Sequence, residues 1–210
     1  MATTKIGAPQ RLIRAAQEEL ILGQGLLEMQ AVARRAKVSV GLAYHHFGSK
    51  AGLIAAVVEA FYDLLEDAAF NPARLVSRDW AGREKERLAA YISFHYDHPF
   101  APLVVGPLSR AAEVLDVEQA FTRRQLVAGA HNLRVGQREG VIPADFDPRL
   151  TIALMIGGIR QALIGALVKG QRPDRGELTD KIWLFITGAL RLPAAAGHAD
   201  DAHRGAATRQ

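Results

Sequence analysis

The chain of 210 residues contains no cysteine. Disulfide frameworks, thiolate zinc sites and cysteine nucleophiles are therefore excluded. A chain of this length can bury a sizeable core without such staples. Long apolar runs are also lacking. The longest, Ile152 to Ile159, stops at Arg160, short of the roughly 18 residues a membrane span needs, so no membrane partner is expected. Arg11, Arg14 and Glu18 interrupt the N-terminal segment before a secretory apolar core forms, and the expected compartment is the cytoplasm. No segment alternates with period two for long enough to make a strand, which leaves an all-α expectation. The patterns HExxH, GxSxG and the P-loop are absent, so neither an enzyme nor a cofactor is expected.

Charge is scarce as a total, +4, but unevenly placed. Residues 1–50 carry Lys5, Arg11, Arg14, Arg34, Arg35, Lys37 and Lys50 against Glu18, Glu19 and Glu28, and so hold the entire excess. A basic end on a neutral body suggests one module that meets a polyanion and another with a different task.

Between breakers at Gly23/Gly25, Gly48, Asn71-Pro72, His98-Pro99, Gly106-Pro107, Gly140, Asp147-Pro148, Gly170, Pro173 and Pro193, apolar residues recur at spacings of three and four. Ile54, Val57, Val58, Phe61, Tyr62 and Leu65 form one such stripe. Ser39 and Ser49 stand as helix N-caps, and Asp147 stands before a proline at the first helical position. Asp116 with Gln119 has the spacing of a capping box. From Pro193 the chain is small, polar and without period, the composition of a disordered tail over 193–210.

Residues 29–53, MQAVARRAKVSVGLAYHHFGSKAGL, read as two short helices joined by a tight turn at Lys37-Val38. That is the helix-turn-helix plan. On the second helix, Ala43 and Phe47 can face the core, which puts Val40, Gly41, Tyr44 and His45 outward. Such a face suits the N-terminal part of a recognition helix in the major groove. Val40 and Leu42 can meet thymine methyls, and Gly41 allows close backbone approach. Tyr44 can donate to a phosphate, and His45 can reach a phosphate or a base edge. Ser49 and Lys50 open the next helix, whose positive end can hold another phosphate.

These residues resemble the tetracycline-repressor (TetR) family of bacterial transcription regulators. The likeness runs from about Arg11 to Tyr62 through LIRAAQEEL, Gly25, VARRAKVSVGLAYHHFGSKAGL and the helix beginning near Lys50. It implies an N-terminal three-helix DNA-binding domain over 1–50, a linking helix over about 50–69, and a C-terminal helical bundle for ligand binding and dimerisation over 70–192. It also implies a dimer on palindromic double-stranded DNA, most often a repressor released by a small-molecule effector, here apolar or amphipathic. Lys37 stands where the family usually has a turn glycine, and its side chain can point at DNA. Ser39 falls on the family motif with Val38, Gly41, Tyr44 and Phe47. Glu28 replaces a common threonine cap, and Val40, Leu42 and Ala43 replace the commoner Lys, Thr and Leu.

The last two strong helices, about 148–169 and 174–192, occupy the place of the family's dimer interface. The first is apolar on nearly every side, and the second adds Ile182, Phe185, Ile186 and Leu190. Arg160 inside this apolar run must reach the rim, pair across a dimer, or meet an acidic ligand group. Tyr91, Phe94, His95, His98, Phe121, Gln125, His131, Asn132 and Met155 are candidates for an effector pocket, against the plainer alternative of ordinary core. His95, His98 and Asp97 are weak metal-ligand candidates. Two other functions fit less of the sequence: a helical interaction protein without operator binding, and a metal-dependent hydrolase.

Overall fold

The computed structural model describes residues 7–168 and 172–192. Local chemistry sets the first helices. Helix α1, Ala8–Leu22, carries Pro9 in its first turn, where a missing N–H costs nothing, and ends in a turn through Gly25 at φ 99°. Helix α2, Met29–Ala36, starts at Glu28, whose side chain caps nothing. It buries Met29, Val32, Ala33 and Ala36 and stops at Lys37, which adopts the left-handed conformation at φ 56°, ψ 50°. A side chain thus occupies a backbone state that favours glycine. Helix α3, Val40–Phe47, begins where Ser39 Oγ accepts the Leu42 N–H at 3.1 Å. Helix α4, Lys50–Leu65, begins where Ser49 Oγ accepts the Gly52 N–H at 2.9 Å. A Cβ on Gly52 would lie 2.2 Å from the Phe47 carbonyl oxygen, so this glycine permits the close α3–α4 approach.

The last turn of α4 widens into a π-turn over Glu66–Phe70 before the break at Asn71-Pro72. The body follows as α5, Trp80–Asp97; α6, Ala101–Val105; α7, Leu115–Arg138; α8, Pro148–Val168; and α9, Arg175–Ala189. Among the described residues there are nine α-helices and no strand. Asp147 Oδ1 accepts the N–H groups of Arg149 and Leu150, the cap expected for α8. Asp116 is not the cap of α7. That helix starts one residue earlier, at Leu115, with Val114 preceding it and no side-chain cap. Asp116 sits inside the first turn, where its charge opposes the helix dipole instead. The tail over 193–210 lies outside the described residues.

Two apolar clusters make up the core. The first holds Leu12, Leu20, Val32, Leu53, Val57 and Phe61 from α1, α2 and α4, and it continues to Phe100, Val104 and Phe121. The second holds Trp80, Leu88, Ile92, Leu133, Leu163, Ile186 and Leu190. Tyr91 and Leu167 pack against both. Each fully buried Leu or Phe contributes on the order of 1.5–3 kcal/mol relative to an exposed one. Because Phe61 and Phe121 belong to one cluster, α4 packs against the body as well as against α1 and α2.

Helix α8 shows what the run-length argument missed. Over 21 residues it has the length and mean hydropathy, 1.7, of a membrane span, yet only 11% of that stretch is buried within the subunit. Its uncovered face carries Leu150 and Leu154 beside Gly157 and Gly158, with open space above both glycines. Leu184 and Phe185 of α9 are exposed by 74% and 66%. Ile186 and Leu190, which the spacing assigned to an interface, instead lie in the subunit's own core. Helix α9 is apolar on two sides, and period alone does not say which side turns inward.

Candidate nucleic-acid interface and interior cleft

In the helix-turn-helix unit, Ala43 is fully buried and Phe47 packs against the same core, which fixes the rotation of α3. Lys37, Ser39, Gly41, Tyr44, His45, Ser49 and Lys50 are then exposed. Val40 and Leu42 are half-covered, and Val40 leans on the core cluster rather than standing wholly free. Tyr44, Lys50 and Val40 share one shallow groove with Glu28, Met29 and Gln30 at the start of α2. Both cap serines accept a backbone N–H, and each hydroxyl retains its own hydrogen to donate outward.

The basic excess is partly spent inside the head. Arg35 pairs with Glu19 at 2.6 Å and with Glu18 at 3.3 Å, Arg14 pairs with Glu18 at 3.4 Å, and Arg11 Nε donates to the Ala36 carbonyl at 3.2 Å. Lys37 and Lys50 have no ion-pair partner among the described residues. They flank α3 at its two ends, one just before Ser39 and the other just after Ser49. A cation at each end with a hydroxyl-bearing face between them is the arrangement that positions a helix on a phosphate backbone.

A cleft opens in the body between α5, α7, α8 and α9, with about 950 Å³ of atom-free space, part of it continuous with solvent. Of the residues the sequence singled out, it brings together Tyr91, Phe121, Gln125, Asn132 and Met155. Phe94, His95, His98 and His131 do not line it. His95 is 2% exposed, its Nδ1–H donates to the Tyr91 carbonyl at 2.8 Å, and burial pushes its pKa down to about 4. Phe94 and His98 pack on Phe61 of α4, with ring centroids 5.2 and 4.9 Å away, and burial lowers the pKa of His98 as well. His131 is on the exposed side of α7. Asp97, the third candidate metal ligand, gives its carboxylate to Arg175 at 2.6 and 2.7 Å. Among the described residues, no three His, Asp or Glu side chains converge.

Arg160 has a partner inside its own subunit, a pairing the three expectations did not include, and it also lines the cleft. Its guanidinium pairs within the subunit with Glu118 of α7, and Glu118 Oε2 accepts the hydroxyl of Tyr62 on α4. Burial and the Glu118 carboxylate raise the Tyr62 pKa, so the phenol stays protonated as a donor. Burial opposes the charge of Arg160, but Glu118 outweighs it and keeps the guanidinium ionised. The Tyr62 ring stacks on Phe121, with centroids 4.0 Å apart and planes 10° apart. Glu84 and Arg87, also at the cleft wall, pair with each other, and burial raises the Glu84 pKa. Sequence reasoning missed Glu84 and Arg87 as members of this wall, and Glu118 and Tyr62 as the groups that hold Arg160 from behind it. The unexplained arginine at 160 was the one signal that a partner was needed.

Residues 12–57 match the family model described as bacterial regulatory proteins, tetR family. The HTH-type transcriptional regulator BetI of Rhizobium meliloti (strain 1021) is 38% identical over 149 residues, spanning 66% of this chain and 69% of that protein. The chain belongs to the TetR family. It is a DNA-binding transcription regulator rather than an enzyme, as its relatives are. The fold agrees with solved structures of other regulators. The fatty acid degradation regulator FadR from Bacillus halodurans superposes with TM-score 0.72 at 18% identity, covering 91% of this chain and all of that one. A TetR-like regulator from Rhodococcus sp. RHA1 superposes with TM-score 0.65 at 19% identity, covering 90% and 99%. TetR-family regulators bind operators and small-molecule effectors and dimerise.

Proposed function

We propose that this TetR-family regulator is a repressor that binds a palindromic operator as a homodimer and is released when a small apolar or amphipathic effector enters the cleft. Residues 1–50 form the DNA-binding head, α4 links it to the body as far as about residue 69, and residues 70–192 bind the effector and the second subunit. The operator contacts are Lys37, Ser39, Val40, Gly41, Leu42, Tyr44, His45, Ser49 and Lys50. The observation that carries this assignment is the exposed α3 face, flanked by Lys37 and Lys50, which have no ion-pair partner among the described residues, with Lys50 and Tyr44 sharing one groove. A purely structural helix hairpin would gain nothing from exposing Tyr44.

The uncovered face of α8 and α9 supports the dimer. Leu150, Leu154, Leu184 and Phe185 in water would be an aggregation liability, and bare Gly157 and Gly158 let a second helix approach closely. This face, rather than a bilayer, also explains the hydropathy of α8, because the helix carries an ionised Arg160 paired to the body. Selection of bound sequences from random duplex DNA tests the proposal, with sedimentation run in parallel. The expected result is a palindrome bound by a dimer. A monomer at micromolar concentration, or no enriched sequence, contradicts it.

A further inference from the structure

The charges around the cleft are arranged asymmetrically. Glu84 and Arg87 pair with each other and cancel at one part of the wall. Glu118 does not line the cleft. It lies behind Arg160, its side chain 12% exposed, with one oxygen taken by Arg160 and the other by Tyr62. Arg160 itself lines the cleft with 34% of its side chain exposed, and only one of its terminal nitrogens is engaged by Glu118. A guanidinium has five N–H donors in a planar fork, so most of its donor capacity is left for a ligand. A molecule entering the cleft therefore meets a cation with open donors, while the matching carboxylate is shielded and already satisfied. The rest of the wall is mostly apolar, with Thr122, Gln125 and Asn132 as its uncharged polar members, and suits a short hydrocarbon chain.

We propose that the cleft takes a carboxylate-headed amphipath, with its tail among Leu88, Ile152, Met155 and Trp183 and its head on the open edge of Arg160, where it competes with Glu118. This rests on the cleft being the effector site, and it names the chemical class of the effector. A cationic head would be repelled at Arg160, and an uncharged one would leave the bidentate fork unused. The geometry also supplies a route to the DNA-binding head. Glu118 holds the Tyr62 hydroxyl, and Phe121, a cleft residue, stacks on the Tyr62 ring. A head group that draws Arg160 from Glu118 loosens the polar hold on α4, and a tail that displaces Phe121 loosens the stacked one.

Three probes with equal tails and different heads decide the question: octanoate, octyltrimethylammonium and 1-octanol, titrated into the full-length protein by calorimetry. Octanoate is expected to bind at least about tenfold more tightly than the other two. In Arg160→Gln that preference falls to within about twofold, and in Arg160→Lys, which keeps the charge, most of it returns. In Tyr62→Phe, release from DNA by octanoate falls at least about fivefold more than octanoate affinity does. The proposal is overturned if the cation or the alcohol binds as tightly as octanoate, if none of the three binds, or if the preference survives in Arg160→Gln. DNA binding by the unliganded native protein is scored separately. Its absence would strike the regulator assignment, whereas intact DNA binding with no preference for octanoate strikes only the anion site.

Discussion

The head and the body of this regulator are organised by different ranges of interaction. In the head, the features assigned to DNA contact are set within a few residues: Ser39 caps to Leu42, Ser49 caps to Gly52, and Lys37 turns the chain by its own backbone state. In the body, the decisive contacts join residues far apart in the chain, with Tyr62 meeting Glu118 and Glu118 meeting Arg160. Local rules build an exposed α3 face that needs little from the rest of the chain. The polar chain beside the cleft draws groups from α4, α7 and α8 at once, and α4 is the element that both regions share.

Substitutions that act on one region alone sharpen the contrast. The largest effect belongs to the double change Tyr44→Ala with Lys50→Ala. Two lost phosphate contacts cost roughly 3 kcal/mol, about a hundredfold in affinity, on operator and non-specific DNA alike. The salt dependence of binding should flatten by about one ion, as measured by anisotropy, while urea denaturation of the body is unmoved. A loss confined to one DNA sequence would show these residues reading bases instead.

In the body, His95 is held neutral by burial, with a folded pKa near 4 against 6.5 for the free side chain. Its stabilising contribution is complete above about pH 6.5. Between there and pH 4 the unfolded chain takes up a proton that the folded chain refuses, so stability falls as pH falls, by on the order of 3 kcal/mol. Urea midpoints across this range should show a steeper decline for the native protein than for His95→Gln. Equal slopes would mean that His95 titrates freely. Next in size, Tyr62→Phe leaves one buried oxygen of Glu118 without its donor and should cost about 1–3 kcal/mol in the same assay.

The smaller effects lie in the head. Ser39→Ala removes a cap and should cost about 1 kcal/mol, whereas Glu28→Ser supplies the cap α2 lacks and should add up to about that much. Lys37→Gly relieves a side chain from the left-handed region, gaining from a few tenths to about 1 kcal/mol of stability while weakening DNA binding. If stability rose and DNA affinity held, Lys37 would be a turn residue and not a contact.

The same division governs how much could be read from the sequence. The all-α class, the caps at Ser39, Ser49 and Asp147, and the outward rotation of Tyr44 and His45 follow from spacing and side-chain chemistry within one or two turns. Asp116 misled because a capping spacing recurs by chance, and the apolar packing of Val114 starts the helix ahead of it. The aromatic segment at 91–100 was legible as a cluster but not in its direction. Phe94, His95 and His98 turn toward Phe61 on α4, and only Tyr91 reaches the cleft. Arg160 announced that a partner was needed without naming it, since any of several acidic residues could have been brought there by the fold. On α9, the choice between Phe185 and Ile186 as the outward residue depends on what α5 presents to it, which no single-helix period contains.

The most direct test of the account is fluorescence anisotropy of the full-length native protein with duplexes that flank its own gene, at several salt concentrations. Regulators of this kind often act on neighbouring promoters. The account predicts tight binding to one palindromic fragment, a steep loss of affinity as salt rises, and failure of both in the Tyr44→Ala, Lys50→Ala protein. Weak, salt-insensitive association with every duplex, including sequences selected from a random pool, would contradict it.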